Sequence, residues 1–311
     1  MINFRFHLVS LTAIFLALCI GIAIGAAVVD RATVDFLETR LKGVETRLDS
    51  TDAKNAALGT ELRRWTTFAD QARNDAVAGR LEGVPVLVLG VQGMDRHAVD
   101  DMRLSLATAK ATVQGTVWFT SKLKLDKAED ASALADILGV APRGSDPVRR
   151  SMVNLLSAEL AGQTANGLLA KLRDAAFVQI DPPVGGGADP ATVSLDGTRF
   201  VVASDGQAAV PNDELAGPFV TQLAQAARAR VLAVEPGRDA GGKGKPARRA
   251  LFVGPLRSDS QVSTLVSTVD DLEDFRGRFA AVYALRDLGD GKVGHYGVGP
   301  GAARLVPDTT G

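Results

Sequence analysis

The apolar run near the amino terminus constrains this chain more than any other feature. Residues 8–29 read LVSLTAIFLALCIGIAIGAAVV and contain no charged side chain. In a helix, about 22 residues rise roughly 33 Å, which is enough to cross a bilayer core of about 30 Å. The run therefore predicts a membrane-spanning signal-anchor, to which residues 1–29 are assigned.

A cleaved secretory signal is the alternative interpretation of this run. Gly25, Ala26 and Ala27 offer a small-residue cleavage pattern, but the run is longer than the usual signal core of about 7–15 residues. Charge predicts the orientation, because Arg5 precedes the run and positive residues are retained in the cytoplasm. Residues 30–311 are therefore expected to be extracytoplasmic.

Composition excludes several classes of partner and cross-link. The chain has 35 Lys and Arg against 36 Asp and Glu, for a net charge of −1, whereas nucleic-acid binding needs a basic face. The single cysteine, Cys19, lies inside the apolar run, so no disulfide can form within the chain. We expect no nucleic-acid partner.

A heptad repeat occupies residues 30–80. With Val34 at position a, apolar side chains recur at a and d, and this period predicts a left-handed coiled coil. A single amphipathic helix packed on its own domain is the alternative. The candidate oligomerisation residues, which occupy a and d positions, are Leu37, Leu41, Val44, Leu48, Asn55, Leu58 and Leu62.

The charges that flank the heptad predict a parallel pair. Arg40 and Arg47 at g would face Glu45 and Asp52 at e of a second chain. Asn55 at a buried a position favours two parallel strands, because two such side chains can hydrogen-bond each other. Two anchors in one bilayer also demand a parallel arrangement, so we expect a homodimer or a higher oligomer.

Residues 81–311 show the alternation of strands and helices that is typical of a parallel sheet covered by helices. Strands are predicted at 84–90, 116–120, 177–180, 199–203, 230–234 and 250–253, and helices at 95–109, 127–138, 151–161, 166–176 and 212–229. For residues 262–272 and 275–288 the sequence allows two assignments, helix alone or helix together with a strand. The predicted fold class is α/β: a single N-terminal transmembrane helix, a parallel coiled coil and a Rossmann-like α/β globular domain over residues 81–311.

Three patterns in this domain raise the question of a ligand or metal. Gly90 and Gly93 follow the first strand but give only G-x-x-G, which falls short of the dinucleotide fingerprint. Met94 and His97 are three residues apart and could share one face, although we favour Met102 in the core and His97 at the surface. The three histidines are far apart in sequence, so no clustered high-affinity copper ligands are predicted and a metal site stays undefined.

Catalysis is not indicated by any nucleophile motif. No GxSxG pattern occurs, and the densest carboxylate cluster is Asp270, Asp271, Glu273 and Asp274. We interpret this cluster as a solvated helix face, with a two-carboxylate hydrolase as the alternative. The glycine-rich segment GHYGVGPG at 294–301 is interpreted as a turn region that closes the domain, or else as a recognition surface built on His295 and Tyr296.

The opening MINFRFHLVSLTAIFLALCIGIAIGAAV, the coil after it and the closing GHYGVGPGA together resemble the mycobacterial copper transport protein B (MctB-like, "copper transporter") family. The resemblance covers the whole length. It implies an actinobacterial cell-envelope protein of copper efflux and homeostasis, described as a pore-forming outer-membrane protein. Coryneform relatives of the same organisation are similar to SteB, a coiled-coil envelope protein tied to a peptidoglycan hydrolase at division.

The resemblance and the residues lead to two functions of different classes. An outer-membrane barrel needs many strands of alternating polarity, whereas this chain has an apolar helix, a coil and an α/β pattern. The first function is copper homeostasis in the membrane, with copper ion as the transported species rather than a cofactor. The second is an anchored dimeric scaffold that presents its α/β domain to a cell-wall hydrolase, and neither function requires an enzyme.

Overall fold

The computed structural model describes residues 4–141, 144–183, 189–191, 195–237 and 250–308. The helices are α1 Phe4–Val77, α2 Arg96–Thr108, α3 Ala128–Leu138, α4 Ser145–Leu160, α5 Leu168–Asp174, α6 Ala216–Ala226, α7 Val253–Ser258 and α8 Phe275–Gly289, with a 3₁₀ turn at Ser121–Lys124. The strands are β1 Pro85–Val91, β2 Thr112–Phe119, β3 Val178–Asp181, β4 Arg199–Ala203, β5 Val231–Val234, β6 Val266–Val269 and β7 His295–Tyr296. Helices and strands alternate along most of the chain after α1, as the sequence predicts.

Helix α1 contains both the predicted span and the predicted heptad segment. Its portion Phe4–Ala26 is the one stretch in the described chain that is long and apolar enough to cross a membrane. It overlaps the predicted run and is displaced by a few residues towards the amino terminus. The chain divides into two compact units, Met1–Thr67 and Phe68–Gly311. A coiled coil requires a second chain, so it stays a prediction.

The second unit is built on one seven-stranded sheet of order β3-β2-β1-β4-β5-β6-β7. All neighbouring strands are parallel except β2 and β3, which pair antiparallel at one edge. The mixed α/β class with a mostly parallel sheet is therefore confirmed. From β1 the strand order runs through β2 and β3 to one edge and through β4 to β7 to the other, so the sheet is doubly wound.

The two faces of the sheet bury separate apolar clusters, because successive side chains of a strand point to opposite faces. In β1, Leu87 and Leu89 join the cluster that includes residues of α3 to α7, and Val86 and Val88 join the cluster that includes residues of α2 and α8. Such two-sided burial explains why β1 reads as a continuous apolar run. The same pattern made it predictable from sequence.

One predicted strand is wrong, and two open segments resolve. Residues 250–253 are not a strand, because the backbone N–H groups of Leu251, Phe252 and Val253 donate to the Glu235 carboxylate, and α7 begins there. The segment 262–272 contains strand β6, and 275–288 forms α8. Pro218 lies in the first turn of α6, where a missing N–H is tolerated.

Candidate functional site

The carboxyl ends of β1 and β4 mark the crevice where doubly wound sheets bind nucleotides. In this protein the loop after β4 occupies that position. Ala209 N–H donates to the Gln92 carbonyl oxygen at 2.6 Å, and Asp95 N–H donates to Asp205 Oδ2 at 3.0 Å. Gly93 permits this packing, because its φ is +95° and an added Cβ would lie 2.6 Å from a carbonyl oxygen of the same loop.

Electrostatics at the same crevice also oppose a phosphate. Asp95 caps α2 by accepting the His97 N–H at 3.0 Å, so a carboxylate already occupies the helix end at which a pyrophosphate would bind. Asp205 adds a second carboxylate nearby. Gly90 has a packing role, since an added Cβ would overlap the Trp118 ring. The short G-x-x-G pattern therefore reflects close packing in this domain.

The predicted soft ligands lie apart from one another. Met94 and Met102 are buried, whereas His97 is exposed, so the placement of Met102 in the core and His97 at the surface is confirmed. His295 is half-buried, and its Nδ1 lies 2.9 Å from Thr268 Oγ1. Within the described ranges, no group of three or more His, Cys, Asp or Glu side chains is arranged to hold a metal ion.

A buried carboxylate site, defined by Glu235, Arg257 and Asp270, lies at the carboxyl ends of β5 and β6. Glu235 directly follows β5, and Asp270 directly follows β6. The interpretation of the 270–274 carboxylates as a solvated helix face is therefore wrong for Asp270 and Asp271, which are buried in the connection before α8. Asp274 instead caps α8 by accepting the Arg276 N–H.

Arg257 and Asp270 form an ion pair at 2.7 Å with each side chain only 1% exposed. Other guanidinium hydrogens are also used: Nε donates to Thr268 Oγ1 at 2.8 Å, and Nη2 donates to the Tyr296 carbonyl oxygen at 2.7 Å. A buried ion pair is tolerated only when its lone pairs and protons are satisfied in this way. The pair therefore joins α7, β6 and β7.

The glycine-rich segment supplies the other half of the Asp270 environment. Val298 and Gly299 donate their N–H groups to the two carboxylate oxygens at 2.7 and 3.0 Å. Gly297 has φ +125°, and a Cβ at this residue would overlap Asp270 Oδ1. The segment is rich in glycine because its backbone packs directly against the buried Asp270 carboxylate. This explains the predicted turn region at the end of the domain.

Glu235 is also held by backbone donors. Its carboxylate accepts the N–H groups of Leu251, Phe252 and Val253 at 2.8–2.9 Å. Burial raises its pKa from 4.5 to about 7, the three N–H donors oppose this rise, and the charge of Asp270 adds to it. Glu235 thereby fixes the start of α7, which carries Arg257.

The arrangement favours a structural role for the buried carboxylate site over a two-carboxylate hydrolase. Both carboxylates accept several N–H groups, and Arg257 is shared between side chains and carbonyl oxygens. Sequence reasoning missed Glu235 and Arg257. A signal existed, because an acidic residue that follows a buried apolar strand must lie at the carboxyl edge of a parallel sheet.

The predicted oligomerisation residues all lie on α1 and are exposed in the single chain. The six apolar members range from 52% exposed at Leu37 to 69% exposed at Leu62, and Asn55 is exposed with them. Monomeric soluble proteins rarely expose contiguous apolar patches of this kind. We call these seven residues the α1 stripe: Leu37, Leu41, Val44, Leu48, Asn55, Leu58 and Leu62.

Comparison with known proteins identifies similar chains over the full length. A family model described as "Copper transport outer membrane protein, MctB" matches residues 1–307. Proteins named "Copper transporter MctB" from Mycobacterium tuberculosis and Mycobacterium bovis are each 29% identical over 328 residues, which is 98% of this chain and 99% of theirs. A protein of the same name from Mycobacterium leprae is 24% identical over 337 residues, with the same coverage of both chains.

Proposed function

Because this chain belongs to the MctB family of copper transport proteins, we propose that it serves copper homeostasis from a position anchored in the cell envelope. The observation that carries this proposal is the length of the family match, which includes the apolar helix, the α1 stripe and the α/β domain together. Residues 30–311 would lie outside the cytoplasm, in line with the charges that flank the span.

Copper in this proposal is a transported species and not a resident cofactor. The described part of the chain brings no three potential ligands together, and His295 already contacts Thr268. A pore through lipid must satisfy every backbone polar group internally, which helices do. The described part of one chain contributes one apolar helix, so a conducting pathway would require several copies of the chain. Placement in an outer membrane would rest on the family description.

Cellular copper tests this proposal. We would express the full chain in a host strain that lacks its own MctB homologue, and measure cell-associated copper by mass spectrometry together with survival in added copper. Lower copper and better survival are expected. Unchanged copper, with the protein correctly inserted in the membrane, would contradict the proposal.

The α1 stripe favours a second candidate function, an anchored dimeric scaffold. Pairing two α1 helices would remove from water six apolar side chains per chain that are otherwise more than half exposed. Arg40 and Arg47 would face Glu45 and Asp52 of the second chain, which selects a parallel register. Such a pair would present two α/β domains to a cell-wall partner, and a peptidoglycan hydrolase is the partner class that the resemblance to SteB implies.

A disulfide placed in the seam tests this register. In the full chain with Cys19→Ser, Asn55→Cys should cross-link rapidly under mild oxidation, because residues at a in a parallel in-register pair lie next to each other. Thr60→Cys is the matched control, since residue 60 lies at position f on the outer side of the coil. Equal cross-linking at both positions, or none at Asn55→Cys, would exclude the parallel pair.

A further inference from the structure

An open cleft of about 510 Å³ lies beside the sheet edge formed by β7. Its walls come from the end of α8, the turn after it, β7 and the closing segment of the chain. Its residues are used by neither of the proposed functions. We call this the C-terminal cleft, and its charged and aromatic lining is Arg286, Asp287, Asp290, Lys292, His295, Tyr296, Arg304 and Asp308.

The charges in the C-terminal cleft are balanced, with three basic and three acidic side chains. Arg286 pairs with Asp287 at 2.6 Å, Lys292 lies 3.6 Å from Asp290, and Arg304 pairs with Asp308. The Lys292 and Arg304 pairs are mostly exposed, and exposed ion pairs contribute little stability. These side chains can therefore exchange a partner for a charged ligand at low cost.

Two side chains of the lining have unused or perturbed polar groups. Arg286 Nη1 is buried and has no hydrogen-bond acceptor among the residues that the structure describes. The guanidinium lies over the Tyr283 ring, 4.6 Å from its centroid, so Arg286 forms a fixed wall of the cleft. Burial raises the pKa of the Tyr296 hydroxyl, and the nearby charge of Asp287 adds to this effect, so the phenol stays a neutral donor. Gly294 leaves room for that phenol, since an added Cβ would overlap its hydroxyl.

The imidazole of His295, which also lines the cleft, is neutral as well. Arg257 Nε donates to Thr268 Oγ1, which leaves the Thr268 hydroxyl free to donate to His295 Nδ1 at 2.9 Å. Burial lowers the pKa of His295, and the positive charge of Arg257 lowers it further. The cleft therefore presents fixed cations and anions in equal number without a histidine that charges near neutral pH.

We propose that the C-terminal cleft binds a small zwitterion that carries a free carboxylate and a free ammonium group, of the size of a dipeptide. A simple anion would meet the three carboxylates, and a simple cation would meet the three basic side chains. A zwitterion matches both, with its carboxylate towards the exposed Arg304 or Lys292 and its ammonium towards the exposed Asp290 or Asp308. The cleft volume lies within the range of small-molecule sites.

Calorimetric titration of the full chain in detergent micelles tests this proposal, with the dipeptide alanylalanine as the probe. We expect binding with a Kd on the order of 1 mM or tighter. The same dipeptide with an acetylated amine and an amidated carboxyl group should not bind. Equal heats from the charged and the capped dipeptide, or no binding of the charged one, would overturn the proposal.

Variants locate the binding in the cleft. Arg304→Gln should weaken alanylalanine by about tenfold, since it removes a charge-assisted contact to the carboxylate. Arg64→Gln is the matched control, because Arg64 also forms an exposed pair with an acidic residue, Glu61, but on α1. Lys292→Gln is the second cleft variant if Arg304→Gln unfolds at a lower temperature. Wild-type affinity in both cleft variants would exclude this site.

Discussion

Single residues at the carboxyl edge of the sheet explain the most unusual part of the sequence. Asp270 is buried by contacts with Arg257, 13 positions earlier, and with Val298 and Gly299, more than 25 positions later. No local pattern encodes contacts at that separation, so a run of acidic residues was interpreted as a solvated surface. The glycines were recognisable as special, but only the folded chain shows that they surround a carboxylate.

Gly297→Ala should destabilise the α/β domain by about 3–5 kcal/mol, because the new methyl group would displace the Asp270 carboxylate and leave Arg257 buried without its partner. Gly291→Ala is the control, since Gly291 also has a positive φ of +72° but no atom would lie within 4 Å of its Cβ. Backbone strain alone at such a residue costs about 1–2 kcal/mol. Denaturant unfolding of the full chain measures the loss of stability in both variants. Equal losses would contradict the close packing of Gly297 against the Asp270 carboxylate.

Glu235 should make the stability of the domain depend on pH. Its pKa is about 7 in the folded protein and 4.5 ordinarily, so between these values the folded state binds more protons than the unfolded state. Its contribution is therefore greatest below pH 4.5 and is lost as the pH rises through 7, with a slope of at most about 1.4 kcal/mol per pH unit.

The variant Glu235→Gln isolates this contribution. The difference in unfolding free energy between wild type and Glu235→Gln should change between pH 5 and pH 7, in favour of the variant at the higher pH. Glu82→Gln serves as the control, because Glu82 is an exposed carboxylate beside Lys110. A difference that stays constant over this range would show that Glu235 keeps an ordinary pKa.

At the scale of elements, sequence periodicity predicted most of the strands and helices. Strands such as β1 and β4 are buried apolar runs bounded by turn residues, and this pattern predicts a strand from the sequence alone. The errors occurred in short runs, since four apolar residues at 250–253 fit a strand or the start of a helix equally well. What decided between them is the Glu235 carboxylate, which captures three N–H groups of that run.

A charged substitution in the α1 stripe should dissociate the proposed pair of α1 helices. Leu48→Asp would place two like charges next to each other in a parallel seam and remove leucine contacts worth roughly 1.5–3 kcal/mol per side chain. Asn55→Leu should instead stabilise the pair and relax its choice of oligomer, because the polar residue sets the register at a cost in stability. Sedimentation of the full chain in detergent distinguishes these outcomes, with Thr46→Asp at outer position f as the control.

A monomeric wild-type chain at roughly 50 µM would remove the main support for the scaffold. Helix α1 would then pack on a different protein, or its stripe would be covered by its own domain. Dissociation by Thr46→Asp to the same extent as by Leu48→Asp would show that charge anywhere on the helix is harmful, and would speak against a defined seam.

At the scale of the whole molecule, the orientation of the apolar helix determines on which side of the membrane the α/β unit lies. Arg5 lies at the amino-terminal end of the apolar helix and several acidic residues follow its other end, so the α/β unit should be exported. A reporter enzyme that works only outside the cytoplasm, fused after Gly311, should be active, and the same reporter fused before Met1 should be inactive. The reverse pattern would show that the few flanking charges do not set the orientation.

The full chain should bind copper ions no tighter than about 1 µM, because its soft and imidazole side chains are dispersed by the fold. Met94 and Met102 are buried in the core, His97 is exposed, and the His295 ring contacts Thr268. Competition with a chelator of known affinity measures this, with His97→Ala and Met94→Leu as variants. A stoichiometric nanomolar complex would require ligands from two chains or a rearranged domain. Loss of that complex in His97→Ala or Met94→Leu would identify the substituted residue as a ligand.

Weak copper binding by the protein, together with lower cellular copper, would instead indicate that the protein passes copper on. This outcome agrees with a role in transport and not in storage.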